Sequence, residues 1–230
     1  SIFILCCPGG TPGWDTHRKT GLSIYDVTNP AKPIRISRTE PFCARDVAIG
    51  EGYCFVASER GSDGLLQVID ISDPSKPQLV ATCDFPGMEA YLIHYGQGYI
   101  YTLTRGVGSA SLFGLRIVDV SKPTAPKAAG FFCTSALDLT VDEEKYVYIA
   151  SAESILVINA NPIGHLKQVG IWNSSVEASS GTGFFYEDQL FVTLFDKGYR
   201  FKLNFVDTES FKLEGRLIWA IVEISTYPLK

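Results

Sequence analysis

Gly64 to Pro77, GLLQVIDISDPSKP, is an apolar strand that carries one Asp and then runs into a turn punctuated by two prolines. Close copies stand at Gly21 to Pro33, GLSIYDVTNPAKP, and at Gly114 to Pro126, GLRIVDVSKPTAP. Pro fixes φ and removes a backbone donor, so the chain must turn after each Asp rather than go on pairing. The recurring Asp26, Asp70 and Asp119 are expected to accept N–H groups of the turns that follow them, and Asn159 stands in the same place in a later copy.

Around this stretch the rest of a repeat unit can be read. Ala44 to Ile49 (ARDVAI) is a short strand closed by Gly50-Glu51-Gly52, and Tyr53 to Ser58 (YCFVAS) alternates in the period of a sheet. Leu65 to Ile71 is the third strand and Gln78 to Thr82 the fourth. Gly64, Gly114, Ser154 and Gly198 stand 50, 40 and 44 positions apart. Four short strands at that spacing predict a β-propeller rather than a helical solenoid, with almost no helix. The last full copy is degenerate, Phe184 to Phe195 followed by Gly198 to Phe205, with no Pro after it.

The two ends are expected to complement each other. Phe211 to Leu217 and Ala220 to Ser225 supply strands beyond Phe205, while Ser1 to Leu5, Gly21 to Val27 and Ile34 to Arg38 supply three more. Residues 1–39 then complete the blade begun by residues 210–225, which leaves no open edge at the seam. The expectation is one all-β domain over residues 1–230, a five-bladed propeller of four-stranded blades.

Composition sets the outer limits. The chain is 46% hydrophobic and 12% aromatic, which supplies a core and argues against disorder. A net charge of −5 argues against a nucleic-acid partner. No run approaches the roughly 18 apolar residues of a membrane span. SIFILCC is too short for a signal-peptide core and has no basic flank before it. A first residue Ser1 fits both a cytoplasmic chain that has lost its Met and a domain cut from an exported protein. The six cysteines are expected to be mostly free or structural thiols, because a chain of 230 residues needs no disulfide staples.

The repeats GLRIVDVSKPTAP and GLLQVIDISDPSKP resemble the LVIVD repeat of a β-propeller family found in bacterial and archaeal proteins. That resemblance implies a propeller and, often, a surface or exported location. It implies no catalytic motif.

Candidate chemistry falls in two places. In propellers, by analogy, the connections after the second and fourth strands share one face, where ligands bind at the channel mouth. This brings Trp14, His17, Arg18, Arg60 and Arg105 to one rim, with Trp14 as a stacking platform. Superposed first strands bring Arg45, Asp46, Glu89 and Asp138 into or near the channel. No cofactor is expected, although carboxylates from separate blades could bind a hard cation such as Ca²⁺ in the channel. They also suit the acid and base of a glycosidase, which needs two carboxyls roughly 5 to 10 Å apart. No phosphate loop, nucleophile elbow or His-based zinc spacing is present. The sequence therefore points to a non-catalytic binding or scaffold propeller that recognises a protein, small molecule or carbohydrate. The alternative is a glycoside-hydrolase-like enzyme working through channel carboxylates.

Overall fold

A computed structural model describes residues 2–6, 21–39, 42–60, 63–106, 113–151, 154–173, 179–186, 189–195, 201–206 and 213–217. Beyond residue 171 it describes the backbone alone. Every regular element among these residues is a strand, as the period-2 alternation predicts. The chain divides into two compact units.

The first unit comprises Ser1–Ser135, Glu143–Lys145 and Ala160–Leu166. It opens with a three-stranded antiparallel sheet of β1 (Ile2–Cys6), β2 (Leu22–Asp26) and β3 (Ile34–Arg38). A four-stranded sheet follows in simple succession: β4 (Cys43–Gly50), β5 (Tyr53–Arg60), β6 (Asp63–Asp70) and β7 (Gln78–Phe85). The next has β8 (Met88–Gly96), β9 (Tyr99–Gly106), β10 (Gly114–Asp119) and β11 (Lys127–Cys133). The expected strands recur here: β3 has the expected bounds, β2 is one residue shorter at each end, and β4, β5 and β7 run one to three residues further than the sequence pattern suggested.

The alternation that makes these strands also makes their cores. Ile4, Leu22 and Ile24 pack with Val56, Ile69 and Ile71, joining the first sheet to the second. Phe55, Leu66 and Val68 pack with Ile93, Ile100, Val118 and Val120, joining the second to the third. Gly64 sits where two sheets come close: a Cβ there would lie 2.5 Å from the Met88 carbonyl oxygen and 2.7 Å from the Ala90 nitrogen. The β4–β5 and β8–β9 hairpins turn on Glu51-Gly52 and Gln97-Gly98, with all four φ values positive. That is the mirror-image two-residue turn whose twist matches paired strands.

The second unit comprises Ala136–Asp142, Tyr146–Asn159 and Lys167–Lys230. It holds a sheet of β12 (Asp138–Val141), β13 (Tyr146–Ala150), β14 (Ser154–Asn159) and β15 (Lys167–Asn173). A second sheet has β16 (Ser179–Tyr186), β17 (Gln189–Phe195), β18 (Phe201–Val206) and β19 (Leu213–Leu217). The expected strand at Ala220 to Ser225 lies outside the described residues.

One irregularity recurs in all these sheets. Pairing between the last two strands slips by one residue at Ile24/Tyr25, Val68/Ile69, Ile117/Val118, Val157/Ile158 and Phe205/Val206. The first four slips end one residue before Asp26, Asp70, Asp119 and Asn159. By the same count the fifth falls just before Asp207, so the degenerate copy keeps its Asp in the sequence. Three of these aspartates act as expected: Thr28, Ser72 and Ser121 each donate a backbone N–H to the Asp two residues before.

Candidate ligand-binding site

The first strands of two neighbouring sheets carry a slip of their own. In β4 it falls between Ala44 and Asp46, and in β8 between Ala90 and Leu92, so Arg45 and Tyr91 are extra residues at equivalent positions. A bulge bends its strand locally and re-aims the extra side chain. Here it gathers four side chains on one patch of the first unit.

Glu89 is the hub. It stands opposite Arg105 in the β8–β9 register. Its Oε2 accepts from Arg105 Nε at 2.8 Å and lies 2.7 Å from Arg105 Nη2 in an ion pair. Arg45 Nη2 approaches the same oxygen at 4.0 Å from β4. The Arg105 guanidinium also lies over the Tyr91 ring, 5.8 Å from its centre. The side chains of Arg105, Arg45 and Glu89 are 49%, 30% and 23% exposed. Ion pairs this open to water contribute about 0–1 kcal/mol to stability. What the arrangement does achieve is to hold a cation in one orientation, braced by an ion pair on its edge and a ring on its face.

Asp46, next to Arg45, has a different task. Its Oδ1 accepts from the Val47 N–H at 2.8 Å and its Oδ2 from the Ile93 N–H at 2.9 Å, which ties β4 to β8. Burial pushes its carboxyl above the ordinary Asp value, while the two N–H groups pull it back. Asp138 occupies the same register position in its own sheet, opposite Ala150 as Asp46 is opposite Ala57. It accepts from the Leu139 N–H at 2.9 Å, matching the Asp46–Val47 bond. His94, further along β8, is held below the usual His value by burial.

The remaining expected site residues divide simply. Trp14, His17 and Arg18 lie outside the described residues. Arg60 pairs through its backbone with Asp63 at the end of β5, and its side chain lies outside the description. Cys83 and Cys133 are free thiols, and burial raises the Cys83 value. Among the described residues no group of three or more His, Cys, Asp or Glu is placed to hold a metal ion.

Two residues were not legible as site candidates. Tyr91 reaches Arg105 only because β8 bulges there, a displacement that strand alternation does not announce. Arg116 of β10 packs between Phe131 and Phe85, 4.8 and 5.7 Å from their ring centres, and donates from Nη2 to Met88 Sδ at 2.8 Å. Its Nε is sealed from solvent without an acceptor, and burial lowers its pKa. An exposed ligand could not reach that nitrogen, so Arg116 is a packing group.

Residues 43–85 and 112–134 match the family model of the LVIVD repeat. No curated protein matches the chain. Several solved structures share its fold at low identity. Dihydro-heme d1 dehydrogenase NirN is 16% identical, with a TM-score of 0.59, over 86% of this chain and 42% of that one. The WD40 domain of Toxoplasma gondii coronin is 13% identical, with a TM-score of 0.61, over 89% of this chain and 55% of that one. A putative 6-phosphogluconolactonase from Bacteroides uniformis is 12% identical, with a TM-score of 0.56, over 88% and 79%. The chain thus spans about half the length of the first two. Identities this low speak to fold alone.

Proposed function

From a chain that carries LVIVD repeats in four-stranded antiparallel sheets, as propeller-like structures do, we infer a non-catalytic binding module. Its site is the patch made by Arg45, Tyr91, Glu89 and Arg105. The observation that carries this reading is the braced Arg105 fork: a half-exposed cation oriented by Glu89 and Tyr91 at little gain in stability. Rigid scaffolds that hold a few polar groups in fixed directions recognise ligands through them.

The proposal includes the complete architecture, a five-bladed ring over residues 1–230. The three-stranded sheet of β1 to β3 has one strand fewer than the other four, and the missing place is the first strand. Residues 220–225, AIVEIS, have the composition to fill it. In a ring closed in this way the Arg105 patch would border the channel mouth, by analogy with other propellers.

A thermal-shift screen against sugars, small organic acids and divalent cations tests the reading. A ligand at a hundred times its dissociation constant stabilises the fold by about 2.7 kcal/mol. In a chain this long that raises Tm by roughly 5 to 10 °C. The shift should vanish in Arg105→Ala and shrink in Tyr91→Ala. A ligand whose shift survives both changes binds elsewhere and overturns this site.

One observation favours the enzyme reading, a glycosidase working through channel carboxylates. Asp46 is buried enough to hold its proton more firmly than an ordinary Asp, as a general acid must. Hydrolysis of aryl glycosides that Asp46→Asn abolishes would establish it. Both Asp46 oxygens already accept backbone N–H groups, which is why the binding module stands first.

A further inference from the structure

The same patch restricts the chemistry of its ligand, given the binding reading above. Arg105 spends one edge of its fork, Nε and Nη2, on a single oxygen of Glu89. The other edge, one N–H of Nη1 beside the second N–H of Nη2, meets no protein acceptor among the described residues, and the side chain is 49% exposed. Arg45 stands at the same oxygen, so two guanidinium groups face one carboxylate. The neighbouring Asp46 carboxylate is turned away into its own backbone bonds. The Arg105 edge is thus a local cation on a protein whose net charge is −5.

A guanidinium edge matches a carboxylate in spacing and direction, two parallel N–H···O bonds on a planar acceptor. We propose that the Arg45–Glu89–Arg105–Tyr91 patch binds a small organic anion through its carboxylate, received on the outward edge of Arg105. Tyr91 and Glu89 are positioning residues: they fix the plane and direction of the fork, so that less freedom is lost when the anion docks. The charge of the Arg105 guanidinium draws the anion in, and that attraction fades as salt is added.

The test uses matched probes on the full chain. Glucuronate and glucose share a sugar body and differ in the carboxylate, while propionate carries the carboxylate without the sugar. Titrations followed by NMR at low salt, then with about 0.5 M sodium chloride, where the Debye length is about 4 Å, read the affinities. We expect glucuronate to bind at least tenfold more tightly than glucose and to weaken several-fold in salt. Arg105→Gln should remove the preference. Arg105→Lys, which keeps the charge and loses the fork, should keep only part of it. Lys122→Gln, in the turn at the opposite end of the β10 strand, should change nothing. Propionate binding as well as glucuronate would identify a plain carboxylate as the ligand; weaker propionate binding would identify a sugar acid. Equal binding of glucose and glucuronate, lost in Arg105→Gln, would overturn the anion inference and leave the site standing. No binding of either acid would overturn the inference as well. The site itself then falls only if the ligands of the wider screen are also indifferent to Arg105.

Discussion

Asp46 and Asp119 each accept two hydrogen bonds, yet their surroundings push their acidities in opposite directions. Asp119 is half-buried and is held below the ordinary Asp value by the Ser121 hydroxyl and then its N–H. Its contribution to stability is present above the unfolded value of about 3.9 and is lost as pH falls through the lowered folded one. Asp46 is raised by burial, so the folded state holds its proton longer than the unfolded chain does. Its contribution is greatest at low pH and declines as pH rises from about 4 through the folded value. Urea unfolding from pH 3 to 7 checks both signs. The stability lead of wild type over Asp119→Asn should grow with pH, and its lead over Asp46→Asn should shrink. The turn aspartates were legible because Asp followed by a Pro turn has a local mechanism. The Asp46 bond to Ile93 spans 47 residues, and no local pattern encodes it.

At the scale of elements, strands and hairpins were legible and slips in register were not. Alternation fixes which residues share a face, and Gly in a tight hairpin fixes a turn. A bulge shows only when two strands are laid side by side. That is why Arg45, Glu89 and Arg105 could be nominated as charges while their meeting, and Tyr91 with it, could not. Two glycines separate backbone from packing. A Cβ added at Gly52 would meet nothing within 4 Å, and φ there is +81°, so Gly52→Ala should cost only the left-handed penalty, about 1–2 kcal/mol. Gly64 would drive its Cβ into backbone atoms of the next sheet. Gly64→Ala should therefore cost about as much or more, roughly 1–3 kcal/mol, by forcing two strands apart. Denaturant midpoints measure both. Only Gly64→Ala should also loosen hydrogen-exchange protection in β8.

For the whole molecule, the proposed ring makes its two ends mutually dependent. Deleting residues 1–5 removes all of β1 but Cys6, and β1 pairs with β2 along its whole length. We expect Tm to fall by about 10 °C or more and unfolding to broaden, as checked by calorimetry. An unchanged melting curve would overturn closure. Spacing made the repeats legible across the entire chain, because each copy must bury its faces against neighbours. It left the ligand illegible, since recognition depends on a handful of side chains brought together by two one-residue slips.

The slips between the last two strands have another consequence. The outermost strand of a sheet leaves its outer N–H and C=O groups unpaired, and here such strands also expose Ile34, Leu79 and Val169. Flat and apolar, they would template one another into fibres. A kink at the same place in every one denies a second molecule the straight partner it would need. The defect in pairing is thus a guard against aggregation, repeated as often as the hazard it answers.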